Sequence, residues 1–99
     1  VTLANATLPY LLQMADMGFI PAGAYRNRDF AEAGVRVVGA VARALQDIFY
    51  DPQTSGGLLC AVPAAEAEGC LAELRAVAPS TQIIGYVTEK LDSAIYLEA

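Results

Sequence analysis

The sequence predicts an α+β fold: a mixed or antiparallel sheet with helices packed against it, in one domain over residues 1–99. Three observations carry this. Three stretches repeat apolar residues at helical spacing. Two short runs, Leu58–Val62 and Gln82–Thr88, are apolar without helical period, as buried strands are. The chain then closes strand, helix, strand, strand, which suggests a mixed or antiparallel sheet with helices against it. With 99 residues, 56% of them hydrophobic but nineteen of those alanine, the core is modest.

Each element follows from local chemistry. Leu8, Leu11, Leu12 and Ala15 fall at i, i+3, i+4, i+7, one helical face. Thr7 or Leu8 is placed to cap this helix, Pro9 sits in its first turn, and Gly18 follows its last turn. Val1–Leu3 reads as the tail of a strand. Residues 19–29 hold Pro21, Gly23 and Asn27 and read as a loop; Asp29 then caps a single turn through Ala33, ended by Gly34. Val35–Val38 reads as a short extended piece. Val41, Ala42, Leu45, Ile48 and Phe49 keep helical spacing, predicting a helix over 41–49 that stops at Asp51-Pro52, because Pro52 lacks an N–H and disfavours a helical residue before it. Pro63 opens a helix over 64–78, with Glu66 and Glu68 near its start and Arg75 near its end, as the helix dipole favours. Gln82–Thr88 reads as a central strand, residues 90–93 as a turn, and Ala94–Leu97 as the closing strand of a hairpin. The expected core is Ala67, Leu71, Leu74, Ile83, Val87 and Ile95.

Composition excludes several function classes. The net charge is −5, and the six basic residues form no stripe, so nucleic acid is not an expected partner. No apolar run approaches the ~20 residues of a membrane span. Without histidine, an imidazole triad or a histidine zinc site is excluded. Cys60 and Cys70 form neither a disulfide framework nor a metal motif and read as buried, inert thiols of a reducing, cytoplasmic compartment. Val1 begins the chain without a signal pattern, and the sequence reads as a piece of a longer protein.

The residues with chemical potential cluster in two loops. Thr54, Ser55, Gly56 and Gly57 form a polar, glycine-containing turn that opens into an apolar run. Its amides can face a phosphate, as backbone nests do, although the P-loop lysine and spacing are missing; the competing reading is a plain turn into a strand. Arg26, Asn27 and Arg28 can clamp an anion or read a hydroxyl, against a solvated loop whose asparagine caps a turn. Asp51 is a candidate magnesium ligand, with Asp47 able to join it only if the helix continues; a carboxylate that stops a helix is the simpler role.

Three segments carry a family resemblance. Asp51-Pro52-Gln53-Thr54-Ser55-Gly56-Gly57-Leu58-Leu59 resembles the late signature of the selenophosphate synthetases (selenide, water dikinases). Gly18-Phe19-Ile20-Pro21-Ala22-Gly23-Ala24-Tyr25-Arg26-Asn27 resembles that family's G-[LI]-[VI]-P-x-G-[ST]-x-R-N segment, with Ala24 where a hydroxyl usually stands. Ile84-Gly85-Tyr86-Val87 resembles its I-G-x-V. The resemblance implies the C-terminal domain shared by the aminoimidazole ribonucleotide synthetase superfamily, truncated on its N-terminal side. It implies a homodimeric parent that uses ATP and Mg²⁺ to make selenophosphate from selenide, releasing AMP and phosphate. The catalytic cysteine or selenocysteine, the lysine and the metal carboxylates then lie upstream, so this piece holds no catalytic residue and no metal ligand. Asn27, Thr54, Ser55, Gly56 and Gly57 are the expected cofactor-binding residues, on one wall of the site. Two alternatives stand beside this: another ATP-using synthetase of the superfamily, or a non-catalytic α+β module that binds a ligand or a partner chain.

Overall fold

The computed structural model describes residues 10–53 and 57–98. In chain order these form α1 (Leu11–Asp16), α2 (Ala22–Ala31), a 3₁₀ turn (Glu32–Gly34), β1 (Val35–Val38), α3 (Arg43–Phe49), a 3₁₀ turn (Ala64–Glu66), α4 (Ala67–Val77) and β2 (Ile95–Glu98). The α+β class holds. The expected strand at Val1–Leu3 and the expected caps at Thr7 and Leu8 lie outside the described residues.

Helix α1 ends as its sequence requires. Gly18 takes φ +86°, its N–H donates to the Ala15 carbonyl at 3.0 Å, and the Phe19 N–H reaches back to the Met14 carbonyl at 3.0 Å. This is the pattern of a left-handed C-terminal cap, and it satisfies carbonyls the helix would otherwise leave unpaired. Ala15 faces Ala44 and Ile48 of α3, with Leu11 and Ile20 packed alongside. Small residues at 15 and 44 let the two helices approach closely.

The region expected to be a loop at 19–29 is instead mostly helix. Pro21, with φ −66°, stands immediately before the first turn of α2 and accepts a 2.9 Å bond from the Ala24 N–H. A proline at a helix entrance starts a helix as readily as one inside it ends it. Asp29 therefore lies within α2 and caps nothing. The helix expected over 41–49 is present from Arg43, and the one over 64–78 is present as a 3₁₀ turn followed by α4.

The sheet differs from expectation. Among the described residues it has two strands, and these run parallel, with Val35 opposite Ile95 and Val38 opposite Glu98. It is neither mixed nor antiparallel, because the partner of β2 is the extended piece at Val35–Val38, and the chain between them makes a crossover through α3 and α4. A crossover returns a strand parallel, whereas a tight turn returns it antiparallel. The expected strands at Leu58–Val62 and Gln82–Thr88 carry neither strand nor helix among the described residues, so β2 is not half of a hairpin. The Ala94 N–H donates to the Gly34 carbonyl at 2.9 Å, fixing the start of the pairing.

The core is also shifted. Its buried members are Ala15, Ala24, Val41, Ala44, Ile48, Tyr50 and Leu97. None of the six expected core residues is fully buried. Ala67, Leu71 and Ile95 are half-buried, and Leu74, Ile83 and Val87 are exposed, Val87 at 90%. Helix α4 buries no side chain completely, so the helical face read from 67, 71 and 74 has only partial cover. Cys60 is exposed and Cys70 half-buried, which corrects the expectation of two buried thiols.

A clip closes the same end of the sheet as the bond from Ala94 to Gly34. Arg36 on β1 pairs with Asp92 at 2.6 Å, and the Tyr96 hydroxyl donates to the same carboxylate. The Tyr96 hydrogen bond, and secondarily the Arg36 charge, hold the Asp92 carboxyl below its ordinary value. A carboxyl lowered in the folded state adds stability above its unfolded pKa and loses it as pH falls through the folded one. Tyr96→Phe should return the Asp92 titration toward the ordinary carboxylate range, followed by NMR.

Leu97 is 0% exposed. Leu97→Ala should therefore lower stability by about 2–5 kcal/mol. Leu74→Ala should cost much less, since Leu74 is 37% exposed. Urea midpoints of the two variants check this ordering.

Candidate functional site

The structure brings the Gly18–Asn27 segment against the Asp51-Pro52 entrance of the glycine loop. The approach is close. A Cβ placed on Gly23 would come within 2.8 Å of Pro52 Cγ, so only glycine lets α2 lie against this stiff ring. One turn further along, Asn27 Nδ2 donates to the Tyr50 carbonyl at 2.9 Å. That carbonyl lies where α3 ends and needs a donor from outside the helix. α3 closes with the Tyr50 and Asp51 N–H groups bonded back to the Asp47 and Ile48 carbonyls, at 3.2 and 3.0 Å. Pro52 then prevents another turn. The loop thus leaves a fixed root whose two clamps come from α2.

Arg28 reinforces that root from inside. Its Nη2 pairs with Asp47 Oδ1, and Arg43 Nε reaches the same oxygen at 3.2 Å. The Arg28 and Asp47 side chains are only 11% and 13% exposed. The Arg28 guanidinium carbon lies 5.0 Å from the centre of the Tyr50 ring, within cation–π range, and Phe49 meets Tyr50 edge-on at 5.2 Å. Burial pushes the Tyr50 phenol above its ordinary value, Glu32 adds to the push, and Arg43 opposes it. The phenol is neutral at physiological pH.

An open groove of about 460 Å³ runs beside this junction, lined by Asn27, Phe30, Phe49, Tyr50, Asp51 and Ile95, among others. Phe30 stands 91% exposed at its rim. Among the described residues, no three Asp, Glu or Cys side chains come together to hold a metal ion. Asp47 does not join Asp51, because α3 stops at Phe49 and Asp47 is engaged by two arginines.

The predicted site residues divide accordingly. Asn27 lies on a helix, and its Nδ2 donates to the Tyr50 carbonyl at the loop root. Arg28 is turned inward to Asp47 and Tyr50 and is no anion clamp. Gly57 is exposed, lies outside the left-handed φ region, and has nothing within 4 Å of the position a Cβ would take. Its value is therefore not a positive φ. Thr54, Ser55 and Gly56 lie outside the described residues. Sequence reasoning missed Gly23 and Tyr50. Gly23 was readable as a glycine inside a motif, but the helix that carries it was read as a loop, and Tyr50 contributes through its carbonyl, which no residue type announces.

The chain is 46% identical to selenide, water dikinase of Pelobacter propionicus over 91% of its length, which is 26% of that protein. It is 46% identical to the one from Clostridioides difficile over 80% of its length, 23% of that protein. With the one from Desulfitobacterium hafniense it shares 36% identity over 98% of its length, 29% of that protein. The chain is related to the selenide, water dikinases. It spans about a quarter of the length of these dikinases. No family model matches the chain, and no solved structure matches it.

Two substitutions test the loop root that this chain brings to the dikinase relationship. Gly23→Ala should destabilise by about 1–3 kcal/mol through overpacking on Pro52. Asp47→Ala should cost about 3 kcal/mol, since it leaves the Arg28 charge largely buried without its carboxylate. Thermal and urea unfolding of both variants provide the check.

Proposed function

We propose that this chain is part of an ATP-dependent selenophosphate synthetase, which makes selenophosphate from selenide and ATP and releases AMP and phosphate. The observation that carries the reading is the 36–46% identity to selenide, water dikinases along most of the chain. The structural support is that two of the three family-like segments meet at one place, with Gly23 against Pro52 and Asn27 on the Tyr50 carbonyl. In this reading the chain is the C-terminal part of the enzyme, of the aminoimidazole ribonucleotide synthetase type. It acts as a scaffold and one wall of a site whose cysteine or selenocysteine, lysine and metal carboxylates are supplied by the rest of the protein. The parent is a cytoplasmic homodimer.

In this reading Thr54, Ser55, Gly56 and Gly57 are assigned to the ATP phosphates, whose charge backbone amides beside Asp51-Pro52 can stabilise as phosphoryl groups move. Asn27 is a positioning residue that holds the root through Tyr50. Gly57 has open space around it, which suits close approach of a phosphate to the backbone. Mg²⁺ neutralises phosphate charge when bound, and its ligands are assigned to the rest of the enzyme.

The test is made on the full-length protein. With ATP, selenide and Mg²⁺, phosphorus NMR should show selenophosphate together with AMP and phosphate, and AMP formation should require selenide. ATP turnover that ends at ADP, or that ignores selenide, would reject the reading. This chain by itself should form no AMP above a buffer control. Gly57→Val in the full-length enzyme should leave the unfolding temperature near wild type, since neither φ nor space opposes the side chain, while lowering turnover by at least about tenfold, equivalent to ~1.4 kcal/mol of barrier. Wild-type turnover of that variant would leave the loop with no part in the site.

A further inference from the structure

Arg28 carries a donor that its ion pair does not use. Its Nη2 meets Asp47 Oδ1, an oxygen that Arg43 Nε also reaches at 3.2 Å. Its Nη1 is buried and has no hydrogen-bond partner among the described residues. A buried N–H left unmade is costly, and engaging a carboxylate through one nitrogen gives up the two-pronged geometry that suits arginine. The surface beside the guanidinium is the Tyr50 ring, whose centre lies 5.0 Å from the guanidinium carbon. The face of an aromatic ring is electron-rich and accepts both a cation and a weak N–H contact. One flat group thus meets a carboxylate at its edge and a ring at its face. A lysine ammonium is a compact point charge and cannot span both.

Tyr50 is thereby held twice, from neighbouring positions on α2. Asn27 Nδ2 holds its carbonyl at 2.9 Å, and Arg28 holds its ring. Phe49 supports the same ring edge-on. Tyr50 closes α3 with φ −93° and ψ 2°, in the bridge between the helical and extended regions. A carbonyl contact alone lets the residue pivot about that one bond. A second contact on the side chain removes the pivot and sets the direction in which the chain leaves through Asp51-Pro52.

We infer that Arg28 and the Tyr50 ring are positioning residues for the phosphoryl transfer, locking Tyr50 at a second point and so fixing the entrance of the glycine loop. The effect on turnover rests on the selenophosphate reading above; the lock itself is read without it.

Two variants of the full-length protein test this. Arg28→Lys keeps a charge for Asp47 and loses the flat face, whereas Tyr50→Leu keeps the carbonyl and loses the ring. Hydrogen–deuterium exchange reads the lock, because the Tyr50, Asp51 and Gln53 amides bond to the Asp47, Ile48 and Asp51 carbonyls. In both variants these amides should exchange about tenfold faster, and Tyr50→Phe, which restores the ring face, should recover most of that protection. In selenide-dependent AMP formation each of the two should lower kcat about tenfold while KM for ATP stays within about twofold, the pattern of a loss felt in the transition state and not in substrate binding. The double variant should lose no more than either single one, since both remove the same contact. Exchange like wild type, or full additivity in the double variant, would overturn the inference. Faster exchange with unchanged kcat would also overturn it, by leaving Arg28 a structural residue only. If Arg28→Lys fails to fold, Tyr50→Leu and its rescue by Tyr50→Phe decide. A wild-type protein that forms no AMP with selenide rejects the activity proposed above, and the exchange rates then decide the lock alone.

Discussion

The contact between Gly23 and Pro52 sets where α2 and α3 can lie. A helix side chain normally keeps a neighbouring backbone at a distance, and here that side chain is absent. Removing it brings α2 onto the proline that ends α3, and the Asn27 amide is then within reach of the last carbonyls of that helix. The Arg28 pairing with Asp47 and its placement over Tyr50 depend on the same approach. None of these contacts is strong alone. An ordinary hydrogen bond contributes about 1 kcal/mol net, and a buried ion pair offsets its own desolvation only partly. Together they specify one arrangement of helix ends, and the polar loop departs from that arrangement.

This division of labour changes how the Gly18–Asn27 segment is understood. Read as a linear motif, it invites assignment of each polar residue to a ligand. In the folded chain its glycine serves packing, its asparagine serves a backbone carbonyl, and the arginine that follows serves an internal carboxylate. The first segment thus packs against the entrance of the second, through Gly23 on Pro52 and Asn27 on the Tyr50 carbonyl.

Elements defined by their own residues were legible in the sequence. The end of α1 at Gly18, the stop of α3 before Pro52 and the helix after Pro63 all follow from capping and breaking chemistry that acts within a few residues. The errors share another cause. Residues 19–29 contain a proline, a glycine and an asparagine, and local rules count each as a breaker; the helix forms because Pro21 sits at its entrance and because Pro52 and Tyr50, distant in sequence, accept Gly23 and Asn27. The runs at 58–62 and 82–88 have strand composition, but a strand exists only with a partner, and composition carries no information on whether one is present. The parallel direction of the sheet was missed for the same reason, since the extended piece at Val35–Val38 was recognised without its mate. At the site, Asn27 was found by type while its role was set by a carbonyl, and a carbonyl looks the same in every residue.

The pairing of Val35 with Ile95 joins positions separated by sixty residues (95 − 35). Closing a loop of that length loses entropy before any ladder bond returns it, and non-local pairings of this kind form slowly. Synthesis from the N-terminus adds an order to the events. β1 emerges from the ribosome with α2 and α3 but without its neighbour, and at about 5–20 residues per second it waits several seconds for β2. During that interval the Val37–Val38 end has an open edge, which is the form of strand most prone to pairing with another chain. Arg36 places a charge in the middle of that edge, so the residue that later clips Asp92 is also positioned to discourage premature association of the nascent protein.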